Sequence, residues 1–163
     1  MINDGAQVFH EIFRSKLHFL EAEWHFSQHK VFSEVSWITH LVYVYHDIAL
    51  DFEYEGRELS VSAMIWKWSL WEQRYSSRVR PEYLIILFPE LAPRNNAEMA
   101  RMTKPVNKLQ RKALESGEMS IIYEWLQAEA ELYAFLLRTI GREEFLRRAA
   151  HRLGAELPAV GEG

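Results

Sequence analysis

The chain has no cysteine. That excludes a disulfide framework, a thiolate metal cage and a cysteine nucleophile, and it suits a reducing compartment. Glycine is also scarce, with seven residues scattered over 163. They form no phosphate-cradling loop and no dinucleotide fingerprint, and neither a G-x-S-x-G elbow nor a recognisable Ser/His/Asp order is present. An enzyme reading therefore has no motif behind it, and no cofactor is implied. Long apolar runs are missing too. Residues 41–50 already contain His46 and Asp47, and residues 121–140 contain Glu124, Glu129, Glu131 and Arg138. Neither stretch can span a bilayer as a helix. The polar start, residues 1–7 with Asp4, lacks the basic opening and apolar run of a signal peptide. The expectation is a cytoplasmic protein with no membrane partner. A net charge of −4 argues against wholesale nucleic-acid binding.

Apolar residues make up 48% of the chain and aromatics 13%, ample for a packed core. The length predicts one domain, over 1–157, with a frayed tail at 158–163. Val8, Phe9, Ile12, Phe13, Leu17, Leu20 and Trp24 recur every three or four residues, which predicts a helix over about 6–22, capped by Asn3 or Asp4. The period then changes. Ile48, Leu50, Phe52 and Tyr54 alternate with polar or small neighbours, as do Leu59, Val61, Ala63 and Ile65. Two period-2 runs around a Gly56-bearing loop predict a β-hairpin. Its register is open: a two-residue loop pairs Phe52 with Leu59, and a four-residue loop over 55–58 pairs Tyr54 with Leu59. The inward face is the same in both. Residues 26–37 and 41–45 add one or two strands, and residues 66–71 end the sheet. Residues 72–94 are punctuated by Pro81, Pro89 and Pro93, and residues 83–88 fit strand or helix.

The last part is helical. Asn95 with Glu98 resembles a capping box, Pro105 interrupts this helix or starts the next with Thr103 as cap, and Gly117 stops it. A long helix opens at Ser120 and closes at Gly141, and residues 142–153 form a final amphipathic helix on Phe145, Leu146, Ala149 and Leu153. The predicted class is α+β: an N-terminal helix, an antiparallel meander of about three to five strands, and C-terminal helices packed on the sheet.

Glu21, His25 and His29 would share one face of a helix, a geometry a metal can use. On a strand they would stand too far apart, and ordinary surface histidines are the simpler reading. Asp51 and Glu53 are paired carboxylates that the alternation places on a wet face. Lys104, Lys108 and Arg111 can share a helix face, and Arg138, Arg142, Arg147, Arg148 and Arg152 follow. Such stripes could touch phosphates or form the wet side of a helix. The sharpest feature is acidic. Residues 38–73 hold Asp47, Asp51, Glu53, Glu55, Glu58 and Glu72 against Arg57 and Lys67. Acid near the hairpin loop, with Trp66, Trp68 and Tyr45 toward the other end, predicts a protein-docking surface. The competing reading has the indoles covered by the C-terminal helices and the acids alone wet.

An N-terminal helix leads to Trp24-His25-Phe26. Then Tyr43-Val44-Tyr45-His46-Asp47 feeds the hairpin from Ile48 to Val61, and helices follow with a Leu114-Glu115-Ser116-Gly117-Glu118 break. Over roughly residues 9–140 this pattern resembles small bacterial immunity proteins encoded beside polymorphic or secreted toxins. The resemblance implies a cytosolic antidote that binds a cognate protein toxin and blocks it, with no catalytic residues and no cofactor. The chain is also similar in pattern to type III secretion chaperones, small acidic α+β proteins that usually dimerise, so a homodimer is a further expectation.

Overall fold

The computed structural model describes residues 4–32 and 35–158. In chain order the elements are α1 (Asp4–Lys16), α2 (Phe19–Ala22), β1 (Ser27–Phe32), β2 (Ile38–Tyr45), β3 (Ile48–Glu55) and β4 (Ser60–Lys67). A 3₁₀ turn (Trp68–Gln73), β5 (Glu82–Tyr83), α3 (Leu84–Leu87) and a second 3₁₀ turn (Pro89–Leu91) follow, then α4 (Ala97–Ser116), α5 (Met119–Ile140) and α6 (Arg142–Leu153). The strands form one antiparallel meander in the order β1-β2-β3-β4-β5. The fold is α+β as expected, with the C-terminal helices touching both the sheet and α1. The tail expected at 158–163 lies, beyond Pro158, outside the described residues.

Strand parity explains the larger core. Leu41, Tyr43, Tyr45, Ile48, Leu50, Phe52, Tyr54, Val61, Ala63 and Ile65 all project to one face and are buried there with Phe9 and Phe13 of α1, Trp125 of α5 and Phe145 of α6. Phe52 meets both Phe13 and Tyr133 edge-on or tilted, at ring distances of 5.7 and 5.4 Å. The opposite parity builds a second, smaller core from Val42, Val44, Ala49, Met64, Trp66 and Trp71. What covers it is not a helix but the strap of residues 68–79, whose Trp68 and Val79 pack on it.

Several local expectations are corrected. The first helix breaks after Lys16: a tight Leu20 N–H to Leu17 carbonyl bond of 2.9 Å turns the chain. The turn drives Phe19 and Leu20 into the core. The hairpin adopts neither anticipated register, since Tyr54 pairs with Val61 and Phe52 with Ala63. Its loop is 56–59, because the Glu55 carboxylate accepts the backbone N–H groups of Arg57 and Glu58, and Leu59 takes a left-handed φ of 52° that buries its side chain. Inward parity is unchanged. The cap of α4 is Asn96, which accepts Met99 N–H at 3.0 Å, while Asn95 donates to the Pro89 carbonyl instead. Pro105 lies inside α4 and neither ends nor starts a helix. One lost backbone bond is outweighed by the burial of Met99, Val106 and Ala113 along that helix. Gly117, at φ 67°, supplies the left-handed residue that stops α4.

Candidate functional site

The structure gathers chemistry on the strap-covered face, around Asp51. This carboxylate is 0% exposed. Its neighbours follow from pairing: Val42 and Met64 flank it on β2 and β4, so His40 and Trp66 are its diagonal neighbours. His40 Nδ1 lies 2.8 Å from Asp51 Oδ1. The indole N–H groups of Trp66 and Trp71 donate to Oδ2 at 3.1 and 3.2 Å. A buried carboxylate is tolerated only when its oxygens are satisfied, and three N–H donors do that here. Asp51 thereby ties the sheet to the strap, since Trp71 belongs to the strap.

With its Nδ1 proton given to Asp51, neutral His40 offers Nε2 as an acceptor. The Tyr75 hydroxyl lies 3.3 Å from it, and a Glu53 oxygen lies at 3.7 Å. Protonated His40 would pair with both carboxylates. Burial raises the pKa of Glu53 and nearby Asp51 adds to the rise, while His40 and Arg74 oppose it. Arg74 spreads over the Trp71 ring at 3.6 Å and the Tyr75 ring at 4.6 Å, and donates to the Trp71 carbonyl. Trp68 sits between His29 and Trp71, its ring tilted against both at 5.3 and 5.5 Å. The sequence Asp51–His40–Tyr75 has the order of a proton relay, but its outer end is a phenol on a ring 69% exposed to solvent.

The residues expected to dock a partner divide into two sets. Asp51 is no surface acid, for the reason just given. Trp66 is buried with its N–H on Asp51. Tyr45 points to the helical face, stacked on Phe26 at 5.5 Å under the Arg142 guanidinium. Asp47 sits in the β2–β3 turn and caps the 3₁₀ turn through Ser69 N–H at 2.8 Å. Glu55 is spent on the hairpin loop. Glu53 and Trp68 remain half-buried, Glu58 is exposed, and Glu72 is exposed on the strap. Tyr75, Leu70 and Arg74 were not anticipated. The strap has neither a period of 2 nor of 3.6, so no pattern announced them.

The alternative sites fare differently. Glu21, His25 and His29 do not converge: His25 occupies a left-handed turn at φ 64°, His29 lies on β1 against Trp68, and Glu21 pairs with Arg14 and His18. Among the described residues no three metal-type side chains cluster. The C-terminal arginines are internally engaged: Arg138 with Glu23, Arg148 with Glu90 and Glu144, Arg152 with Glu82, and Arg142 on the Trp24 carbonyl. Arg147 and Arg148 together hold Glu144 down to a pKa of about 2. No helix among the described residues is long and apolar enough to cross a membrane.

No family model matches the chain, and no curated protein or solved structure matches it significantly.

Proposed function

We propose that this protein works by binding another protein and neutralising it, as an immunity protein does with its cognate toxin. One observation carries the reading: the strap is pinned from beneath by a buried carboxylate yet turns its own large side chains outward. Tyr75 is 69% exposed and Leu70 38% exposed, beside Glu72 and the rim acid Glu53. An aromatic side chain held in place before binding loses little rotamer freedom on contact, the property that makes Tyr a frequent hot spot. The flanking carboxylates would select a basic partner and speed its approach. The surface so defined is narrower than the whole hairpin. It is centred on residues 68–75 and reaches Glu53, which shares His40 Nε2 with Tyr75, while the exposed Glu58 lies in the hairpin loop.

The test is co-expression with the toxin-like product of the neighbouring gene, followed by kinetics on the purified pair. Rescue of growth is expected. Tyr75→Ala should weaken the complex by about 2 kcal/mol, mainly through faster dissociation. Glu53→Lys with Glu72→Lys should slow association about tenfold at low salt. Rescue and kinetics untouched by all three substitutions would overturn this placement. Asp51→Lys is no test of the surface, because it would bury an unpaired cation.

A second reading rests on α4. Lys104, Lys108, Arg111 and Lys112 are all exposed, and among the described residues none is ion-paired. A phosphate-binding role predicts steep salt dependence, lost on Lys104→Glu with Lys108→Glu.

A further inference from the structure

A crevice of about 310 Å³ opens on the other side of the molecule, between the free end of β4 and helices α3, α4 and α5. It exists because β5 is only two residues long and pairs with Met64 and Ile65 alone. The rest of that β4 edge is closed by side chains: Gln110 of α4 donates to the Leu59 carbonyl, and the Tyr133 hydroxyl of α5 donates to the Val61 carbonyl at 3.1 Å. Its walls include Ile85, Met99, Leu132 and Leu136, and they are mainly apolar. One carboxylate, Glu129, lines them on α5, one helical turn before Tyr133, with Thr103 and Asn107 facing from α4. Among the described residues no cation pairs with Glu129. The volume falls at the small end of ligand sites, about 300–1,000 Å³.

We propose that this crevice binds a small amphiphilic amine, its ammonium group on Glu129 and its apolar body against Leu132, Leu136 and Met99. The chemistry follows from what is missing. An apolar cleft alone would take any greasy molecule, and a half-buried carboxylate in it penalises neutral and anionic ligands that cover it and leave it unpaired. A protonated amine supplies both the charge and the donors. Independently of that argument, burial holds the Glu129 carboxyl at about 7, with the Trp125 indole pulling it back down while making no regular hydrogen bond of its own. An ammonium would lower it further. The other titratable groups lining the crevice are the phenols of Tyr83 on β5 and Tyr133 on α5. The latter is pushed further up by burial and by Glu129. That rise takes Tyr133 away from the pH range in which Glu129 titrates.

The experiment is calorimetric titration of the full chain with 2-phenylethylamine, and with 2-phenylethanol as the neutral control of the same shape. The amine should bind at least ~10-fold more tightly than the alcohol at pH 8. Its affinity should fall roughly 30-fold at pH 5.5, where a carboxyl titrating near 7 is ionised only about 3%. Glu129→Gln should abolish the amine's advantage and leave the alcohol unchanged. Leu136→Trp, which fills the cleft, should remove binding of both. Equal affinity for amine and alcohol, amine binding indifferent to Glu129→Gln, or no saturable binding of either up to millimolar concentration would each overturn the proposal.

Discussion

Helices close one face of the sheet, and the strap 68–79 closes the other. On the helical side the contact is aromatic and aliphatic: Phe9, Phe13, Phe52, Tyr54, Trp125 and Phe145 sit within one continuous core. On the strap side the apolar set is small, and its centre is ionic, with Asp51 holding two indoles and an imidazole. The difference is one of directionality. Apolar area stabilises in proportion to its extent and hardly cares about orientation, so a helix can shift slightly at little loss. A buried carboxylate with three donors fixes angles as well as distances. A segment too short and irregular to hide much surface is held in one conformation by hydrogen bonds, and its outer side is then a rigid display.

The largest effects should come from breaking each face by its own logic. Phe52→Ala removes a fully buried ring from the helical core and should cost about 4 kcal/mol in urea unfolding, with one cooperative transition. Asp51→Asn is nearly isosteric but keeps one oxygen for three donors, and sets an amide N–H₂ against other donors. It should cost about 3 kcal/mol and change the near-ultraviolet circular dichroism of Trp66, Trp68 and Trp71, while the far-ultraviolet signal stays native. If Asp51→Asn leaves the tryptophan signal intact, the strap is held by apolar contact and the contrast between the faces disappears.

How far this contrast could be read in the sequence depends on the residue. Alternation assigns Leu50, Phe52, Tyr54, Val61 and Ile65 to one face, because period and parity are local properties. The boundaries Gly117, Gly141 and the last helix at Arg142–Leu153 were legible for the same reason. Asp51 was misread as wet because alternation says only that it avoids the helical face, not that the other face is open. A signal to the contrary was present: residues 41–45 are apolar at both parities, as a strand buried on both faces is, and Met64 and Trp66 continue it. The covering strap remained hidden because 3₁₀ turns carry no extended hydrophobic period. The crevice was hidden because it arises from the shortness of β5, a property of pairing and not of composition.

Titration sharpens the comparison next, since two polar groups lie within or beside the helical core. Burial lowers the pKa of His10 to about 4, with its Nε2 shared between the His40 carbonyl and Thr39 Oγ1. The unfolded chain therefore takes up this proton first, and stability falls as pH drops from 6.5 toward 4. Glu129 has the opposite sign. Its folded pKa of about 7 lies above the unfolded 4.5, so the folded chain takes up the proton first, and stability rises as pH drops from 7 to 4.5. The two contributions oppose each other between 4.5 and 6.5, and the wild-type profile should be nearly flat there. Glu129→Gln should raise stability at pH 8 by on the order of 2 kcal/mol, after discounting for the carboxyl's partial exposure. It should also uncover the acid-side decline that His10 imposes. A profile whose shape is unchanged by that substitution would place Glu129 in water. A carboxylate that weakens the fold at neutral pH is what a binding site, rather than a packing device, would retain.

The smallest expected effect is the cleanest comparison, because it makes the same chemical deletion on both faces. Tyr133→Phe removes a hydroxyl that satisfies the Val61 carbonyl at the β4 edge. Val61 itself is buried, so its carbonyl is left with poor access to water, and the loss should be about 1–2 kcal/mol. Tyr75→Phe removes a hydroxyl 3.3 Å from His40 Nε2 on a ring that is largely in solvent. Water can replace that hydroxyl, and Arg74 still stacks on the ring. The loss should stay under about 0.5 kcal/mol. Parallel urea unfolding of the two variants gives the ratio directly. A Tyr75→Phe cost equal to that of Tyr133→Phe would mean that the phenol closes the Asp51 network from above, so that Tyr75 belongs to the small core and is not free for a partner. A clear inequality in the expected direction leaves the strap with a sealed underside and an outer surface whose side chains can change with little effect on the fold, as a partner-selecting surface requires.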